Sequence, residues 1–366
     1  MTPYTKPVKI CFVVPKAYPL FNREVKELFG GAEVDLYLLA TELAKDKKFE
    51  VAFITADYGQ RKIENIEAVT IYKSLDFKKN PLVGALRVWR AMQAAGAQIY
   101  FQEASSWGTF LIALFCKLHK KIFIYRTASQ RECDGKYFRQ HLLAGKAFRW
   151  SLHNAKQVIV QNETDKANLQ QTADVSSEVI GNAHHLSVVS KSDKNVILWV
   201  GRSTAVKRPE LFIDLAEKIP GERFVMICQH ATDDKKYDEL VTRARSVKNL
   251  EFIERVGFDE IDKHFQCARV FVNTSYSEGF PNTFIHACKS AVPILSLKIN
   301  PDGFLNKHNC GMCANDDEDV FVDMLKQLLN NDKADELGNC GRRYAEANHD
   351  ITKIVERYKI LFKDLM

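Results

Sequence analysis

The chain has 366 residues, 46% of them hydrophobic and 27% charged, with a formal net charge of +6. Such a balance is that of a globular protein, excluding a disordered or collagen-like chain, and the length predicts two cores and hence two α/β domains. The apolar run at residues 110–116 is too short to span a bilayer, no signal-peptide pattern follows the first apolar segment, and nine scattered cysteines indicate reduced thiols in a cytoplasmic compartment.

Apolar runs and helical spacing alternate from the start. Residues 8–14 predict the first strand, ending at Pro15. A long loop runs through Tyr18 to Phe29-Gly-Gly-Ala-Glu33, followed by a helix with Val34, Leu36, Leu38, Leu39 and Leu43 on its apolar face. Residues 49–55 and 68–72 predict strands, 82–95 a basic amphipathic helix, and 98–102, 121–125 and 157–160 further strands. The Ser-, Asp- and Asn-rich passage 173–195 marks a boundary. The pattern restarts with a strand at 196–200, continues at 223–228, 250–253, 268–273 and 293–296, and turns helical from Asp316. This alternation argues for parallel sheets with helices on both faces.

Ser275 to Ser296 is the stretch in which the chemistry concentrates. It follows a buried strand, and Pro281 suits the first turn of the helix that comes next, because its missing N–H has no partner there in any case. The backbone amides of Gly279, Phe280, Asn282 and Thr283 then stand at a helix N-terminus, where an anion is favoured. Glu278 sits at the mouth of the same turn. A carboxylate beside an anion site suits a ligand with both phosphate and hydroxyls, as a nucleotide sugar has. Gly201-Arg202, with Lys207 a turn later, opens the second domain directly after its first strand. Open α/β sheets bind ligands in the crevice beyond their strand C-termini, so both cations can aim at one diphosphate and absorb charge as it leaves.

Phe29-Gly-Gly-Ala-Glu33, Gly201-Arg202 with Lys207, and Glu278-Gly-Phe-Pro-Asn-Thr283 together resemble retaining glycosyltransferases of family 4, in order along nearly the whole chain. The resemblance implies a GT-B architecture, an α/β fold of two Rossmann-like domains with parallel sheets facing across a cleft. Residues 1–188 would bind the acceptor, with a helix at 350–366 packing back on them, and residues 189–349 would bind the donor. Arg202 and Lys207 would hold the donor diphosphate, and Glu278 the hydroxyls of the transferred sugar, making these three the catalytic set. Gly31, Gly201, Gly279, Phe280, Pro281, Asn282 and Thr283 would complete the donor site, Gly31 by letting the N-terminal loop come close.

Two departures stand out. Where the family has a second glutamate gripping the ribose, this chain has His286. A neutral imidazole accepts one hydrogen bond and donates another but does not chelate a diol, so His286 is expected to contact the ribose and bind the donor less tightly. Relatives also place a histidine after an N-terminal-domain strand. Residues 123–129 contain none, and Arg126, Ser129 and Glu103 are the nearby candidates.

The implied activity needs neither metal nor cofactor. It moves a sugar from a UDP- or GDP-sugar to a hydroxyl of a glycan or lipid-linked acceptor in cell-surface polysaccharide synthesis. A nucleotide-sugar epimerase of GT-B fold and a catalytically weakened nucleotide-sugar-binding protein fit the same residues. Cys310-Gly-Met-Cys313 reads as buried thiols, and the acidic run 315–319 as a helix start. Residues 1–190 carry 26 Lys and Arg against 18 Asp and Glu, the remainder 26 against 28. No nucleic-acid motif accompanies this basic half. Lys117, Lys120, Lys121, Lys136, Arg139, Lys146 and Arg149 with Trp150 point instead to an anionic membrane, with the protein peripheral on the inner face of the plasma membrane.

Overall fold

Alternating burial sets the first sheet. In β1 (Val8–Val13) Cys11 and Val13 enter one core while Phe12 stacks with Phe53 and Phe101 on the opposite face, as in a strand covered on both sides. The structure is a computed structural model describing residues 6–186, 194–231, 234–258, 260–330 and 333–366. The chain divides into two units, Met1–His184 with Ile351–Met366, and His185–Asp350. The boundary expected at 188/189 lies outside the described residues.

Unit one adds β2 (Phe49–Thr55), β3 (Ile63–Ile66), β4 (Val69–Lys73), β5 (Ile99–Glu103), β6 (Ile122–Arg126), β7 (Gln157–Val160) and β8 (Glu178–Val179). Their order is β3-β4-β2-β1-β5-β6-β7-β8, with β3 antiparallel to β4 and the other pairs parallel. Its helices are α1 (Tyr18–Phe21), α2 (Gly31–Leu43), α3 (Pro81–Ala95), α4 (Trp107–Leu118), α5 (Lys136–Gln140), α6 (Leu142–Asn154) and α7 (Glu163–Ala173). Met92 of α3, Phe115 of α4 and Phe148 of α6 pack on Tyr100 and Tyr125, so these three helices form one layer.

Unit two is a six-stranded parallel sheet in the order β11-β10-β9-β12-β13-β14. The strands are β9 (Val196–Arg202), β10 (Phe224–Gln229), β11 (Leu250–Ile253), β12 (Ala268–Asn273), β13 (Ile294–Ser296) and β14 (Gly311–Cys313). Its helices are α8 (Glu210–Lys218), α9 (Tyr237–Ser246), α10 (Ile261–Gln266), α11 (Asn282–Lys289), α12 (Phe304–Lys307), α13 (Glu318–Leu329) and α14 (Lys333–Asn348). Asp317 caps α13, accepting from the amides of Asp319 and Val320, each at 3.0 Å. Cys310 precedes β14 and Cys313 ends it, both as buried free thiols. Gly311 admits no side chain there, since a Cβ would lie 2.2 Å from the Ile294 carbonyl oxygen.

α15 (Ile351–Asp364) returns to unit one, against α2. Tyr358 and Phe362 meet Phe101 at 5.9 and 6.4 Å, covering the face that α3, α4 and α6 leave. Among the described residues no helix is long and apolar enough to cross a membrane.

Candidate active site

β9 and β12 are neighbours in the sheet, so the loops after Arg202 and Asn273 leave at the same edge. A hydrogen-bond chain staples them together. Trp199 Nε1 donates to Thr274 Oγ1 at 2.9 Å, and that hydroxyl donates to the Lys207 carbonyl at 2.6 Å. The Tyr276 amide donates to the Val206 carbonyl at 3.0 Å. Arg208 Nε donates to the Thr274 carbonyl at 2.7 Å, and its guanidinium pairs with Asp316 at 2.7 Å. Arg208 holds φ at 48°, a left-handed conformation costly for a side chain with a Cβ. Gly201 is required because a Cβ would lie 2.7 Å from the Trp199 ring.

With the two loops fixed, Lys207 Nζ and Glu278 Oε1 meet in a direct ion pair. Both side chains keep solvent access, at 22% and 16% exposure, so the pair is open to a competing ligand. Arg202 is exposed at the end of β9. Among the described residues no hydrogen bond or ion pair links it to Lys207 or Glu278.

Pro281 caps α11 and the first helical residue is Asn282, one position later than expected. Phe280 anchors the turn, its ring 5.1 Å from both Phe304 and His349. Gly279, Phe280 and Pro281 are buried, while Asn282 and Thr283 are half-buried at the N-terminus of α11. Thr283 Oγ1 is buried and has no hydrogen-bond partner among the described residues.

His286 lies in the second turn of α11. Its ring stacks on Phe265 at 5.3 Å, and Nδ1 is 2.7 Å from Asp262 Oδ1. Lys289 Nζ donates to Asp262 Oδ2 at 2.7 Å. Burial lowers the imidazole pKa, aided by the Lys289 charge and opposed by Asp262. Burial pushes the Asp262 carboxyl up, but the hydrogen bond from His286 and the Lys289 ammonium hold it well below the usual carboxylate range. The result is a neutral imidazole steering an ionised carboxylate. Asp262 carried no signal in the sequence, because its partners sit on a different helix. Arg208 and Thr274 were likewise unmarked, although Arg208 follows Lys207 directly, and Asp316 was marked only as part of a helix start.

Gly31 belongs to unit one, as the first residue of α2. Gly30 caps that helix, and its amide donates to Glu33 Oε2 at 2.7 Å. Arg126 is 2% exposed, with its guanidinium 2.8 Å from Glu103, 3.3 Å from Asp35 and bonded to Asn182. Burial disfavours its charge, which Glu103, Tyr358 and Asp35 more than restore, while burial also pushes the Glu103 carboxyl up against the pull of Arg126. Arg126 and Glu103 therefore form an interior ion pair rather than surface groups awaiting a substrate.

Residues 194–331 match the family model described as glycosyl transferases, group 1. Over 201 residues the chain is 24% identical to the UDP-N-acetylglucosamine–peptide N-acetylglucosaminyltransferase GtfA subunit of Streptococcus parasanguinis. That match covers 51% of this chain and 39% of the relative, so it reaches well under two thirds of that protein. In three dimensions the chain is similar to a sucrose-phosphate synthase from Thermosynechococcus elongatus (TM-score 0.80, 16% identity, 98% of this chain and 99% of that one). It is also similar to a trehalose-6-phosphate synthase described for glycosyltransfer with retention (TM-score 0.72, 12% identity, 98% and 99%). The fold is GT-B, with two parallel-sheet α/β units. That fold and the match in unit two support a glycosyltransferase.

Proposed function

We propose that this chain transfers a sugar, with retention of anomeric configuration, from a UDP- or GDP-sugar to a hydroxyl of a glycan or lipid-linked acceptor. The reading places it among retaining enzymes of family 4 acting in cell-surface polysaccharide synthesis, without a donor-site metal. The observation that carries it is the partly exposed Lys207–Glu278 pair beside the N-terminus of α11. A donor diphosphate competes with Glu278 for Lys207, and the released carboxylate accepts hydrogen bonds from the sugar hydroxyls. As the bond from C1 to the diphosphate breaks, its electron pair stays on phosphate oxygen. Lys207, Arg202 and the amides of Gly279, Phe280, Asn282 and Thr283 stabilise that charge. The acceptor oxygen bonds C1 on the same face, and its proton passes to the departing phosphate. Pro281 and Gly201 fix the two loops, and Gly31 keeps the donor-site part that the family resemblance implies. Nine free thiols support a cytoplasmic setting.

The ribose is assigned to His286 and Asp262 together. Asp262 accepts one hydrogen bond on each oxygen, keeps further lone pairs and is 31% exposed. It thus supplies from α10 the carboxylate that His286 lacks.

Release of nucleotide from UDP-glucose, UDP-N-acetylglucosamine and GDP-mannose, with and without glycan acceptors, tests the reading. Turnover of one donor that vanishes in Lys207→Ala supports it. Binding of every donor without release instead selects the weakened binder, and release of an isomerised sugar selects the epimerase.

A further inference from the structure

We propose that the α3–α4–α6 layer of unit one docks on anionic lipid bilayers, with the apolar side chains along one rim of that layer entering the headgroup region. The inference does not depend on which sugar is transferred. Residues 77–95, 107–121 and 135–154, which build this layer with its loops and α5, contain eleven Lys and Arg and no Asp or Glu. The other face of the same sheet is unlike it, since α2 carries Glu33, Asp35 and Glu42. Asp76 and Asp134 flank the layer, and each is met by a lysine, Lys79 at 3.8 Å and Lys136 at 2.9 Å.

Topology gathers the apolar groups. In a parallel sheet every crossover helix runs back against its strands, so α3, α4 and α6 start at the edge where β4, β5 and β6 end. Leu82 in the first turn of α3, Trp107 at the start of α4, and Leu142 and Leu143 at the start of α6 are between 62% and 80% exposed. Phe77, just before α3, is exposed at the same edge, with Lys16 Nζ 6.0 Å from its ring centre. Trp150 is not part of this rim. It is half-buried, with Phe110 at 5.1 Å and Lys117 at 5.1 Å from its ring.

Large apolar side chains gathered along one rim make the kind of patch that marks a protein or membrane interaction site, where a single exposed leucine would not. Basic groups draw a protein to anionic lipid, and leucine and tryptophan gain further by burial at the headgroup boundary. Exposed leucines gain nothing from a nucleic-acid backbone, which favours lipid over RNA.

Sedimentation with phosphatidylcholine vesicles, with and without phosphatidylglycerol, tests the proposal. Binding is expected only with phosphatidylglycerol, fading as salt rises from about 0.05 to 0.5 M. Leu142→Asp/Leu143→Asp should weaken it about tenfold or more. Should that variant fail to fold by circular dichroism, Lys146→Glu/Arg149→Glu should lose binding by a similar factor. Tryptophan emission should shift blue on binding, and Trp107→Phe should remove the shift while leaving sedimentation largely intact. Equal binding to neutral vesicles, unaltered binding by the charge variant, or tighter binding to poly(U) RNA than to anionic vesicles would overturn the assignment.

Discussion

The two units place charge at the strand C-termini in opposite ways. In unit one, Arg126 sits at the end of β6 with Glu103 and Asp35, and all three side chains are at most 5% exposed. In unit two, Lys207 and Glu278 occupy loops at the matching edge, and their side chains remain reachable from solvent. A buried pair is committed to its partners, because breaking it strands a charge in the interior. An open pair at the same kind of edge can exchange one partner for a ligand. Chemically similar residues are thus closed off in the interior of one unit and left open to a ligand in the other, and exposure separates them.

Arg126→Ala tests that contrast most severely. Glu103 and Asp35 would be left buried without their cation, at a cost of about 3–5 kcal/mol in denaturant unfolding. A loss of activity without loss of stability would show that the guanidinium serves substrate after all. Lys207→Ala should do the reverse, lowering kcat/KM about a hundredfold or more while the melting temperature stays near wild type. Glu278→Ala should behave alike, and a large loss of stability in either variant would put unit two's pair with unit one's.

Asp262→Asn should weaken UDP binding about tenfold in calorimetry, the scale of one charge-assisted hydrogen bond. Adding His286→Glu to that variant should restore affinity. Rescue is the outcome that a packing role for Asp262 would not produce.

The smallest effect concerns pH. Glu132 is buried in unit one, accepting from Tyr125 Oη at 2.7 Å and from the Ala128 and Ser105 amides at 3.2 and 3.3 Å. Burial raises its pKa from 4.5 to about 7, against the pull of these donors. The folded state therefore holds a proton that the unfolded chain has released, and this contribution is fully present below 4.5 and lost as pH rises through about 7. Glu132→Gln should flatten the decline in melting temperature across that window. An unchanged slope would assign the decline to other groups.

Much of this was legible beforehand, for identifiable reasons. Strands buried on both faces are nearly continuous apolar runs, and β2 and β7 begin and end where such runs do. β8 and β14 escaped notice because two or three residues at a sheet edge leave no periodicity to read. Lys207 and Glu278 were marked by motifs flanking neighbouring strands. Arg126 and Glu103 were singled out individually but not as a cluster, since Asp35 and Asn182 lie 91 and 56 positions from Arg126 and only the fold brings them in. Asp262 was hidden for the same reason, and Trp150, which its sequence neighbours group with a basic surface, is half-buried against Phe110.

The return of α15 to unit one has a consequence for biosynthesis. Phe101, at the centre of the first sheet, is covered by rings from Tyr358 and Phe362. A ribosome therefore releases all the residues of unit two before it supplies the cover for unit one. The domain whose synthesis begins earlier is the one that finishes later, and until then it carries an exposed aromatic surface that a chaperone could hold.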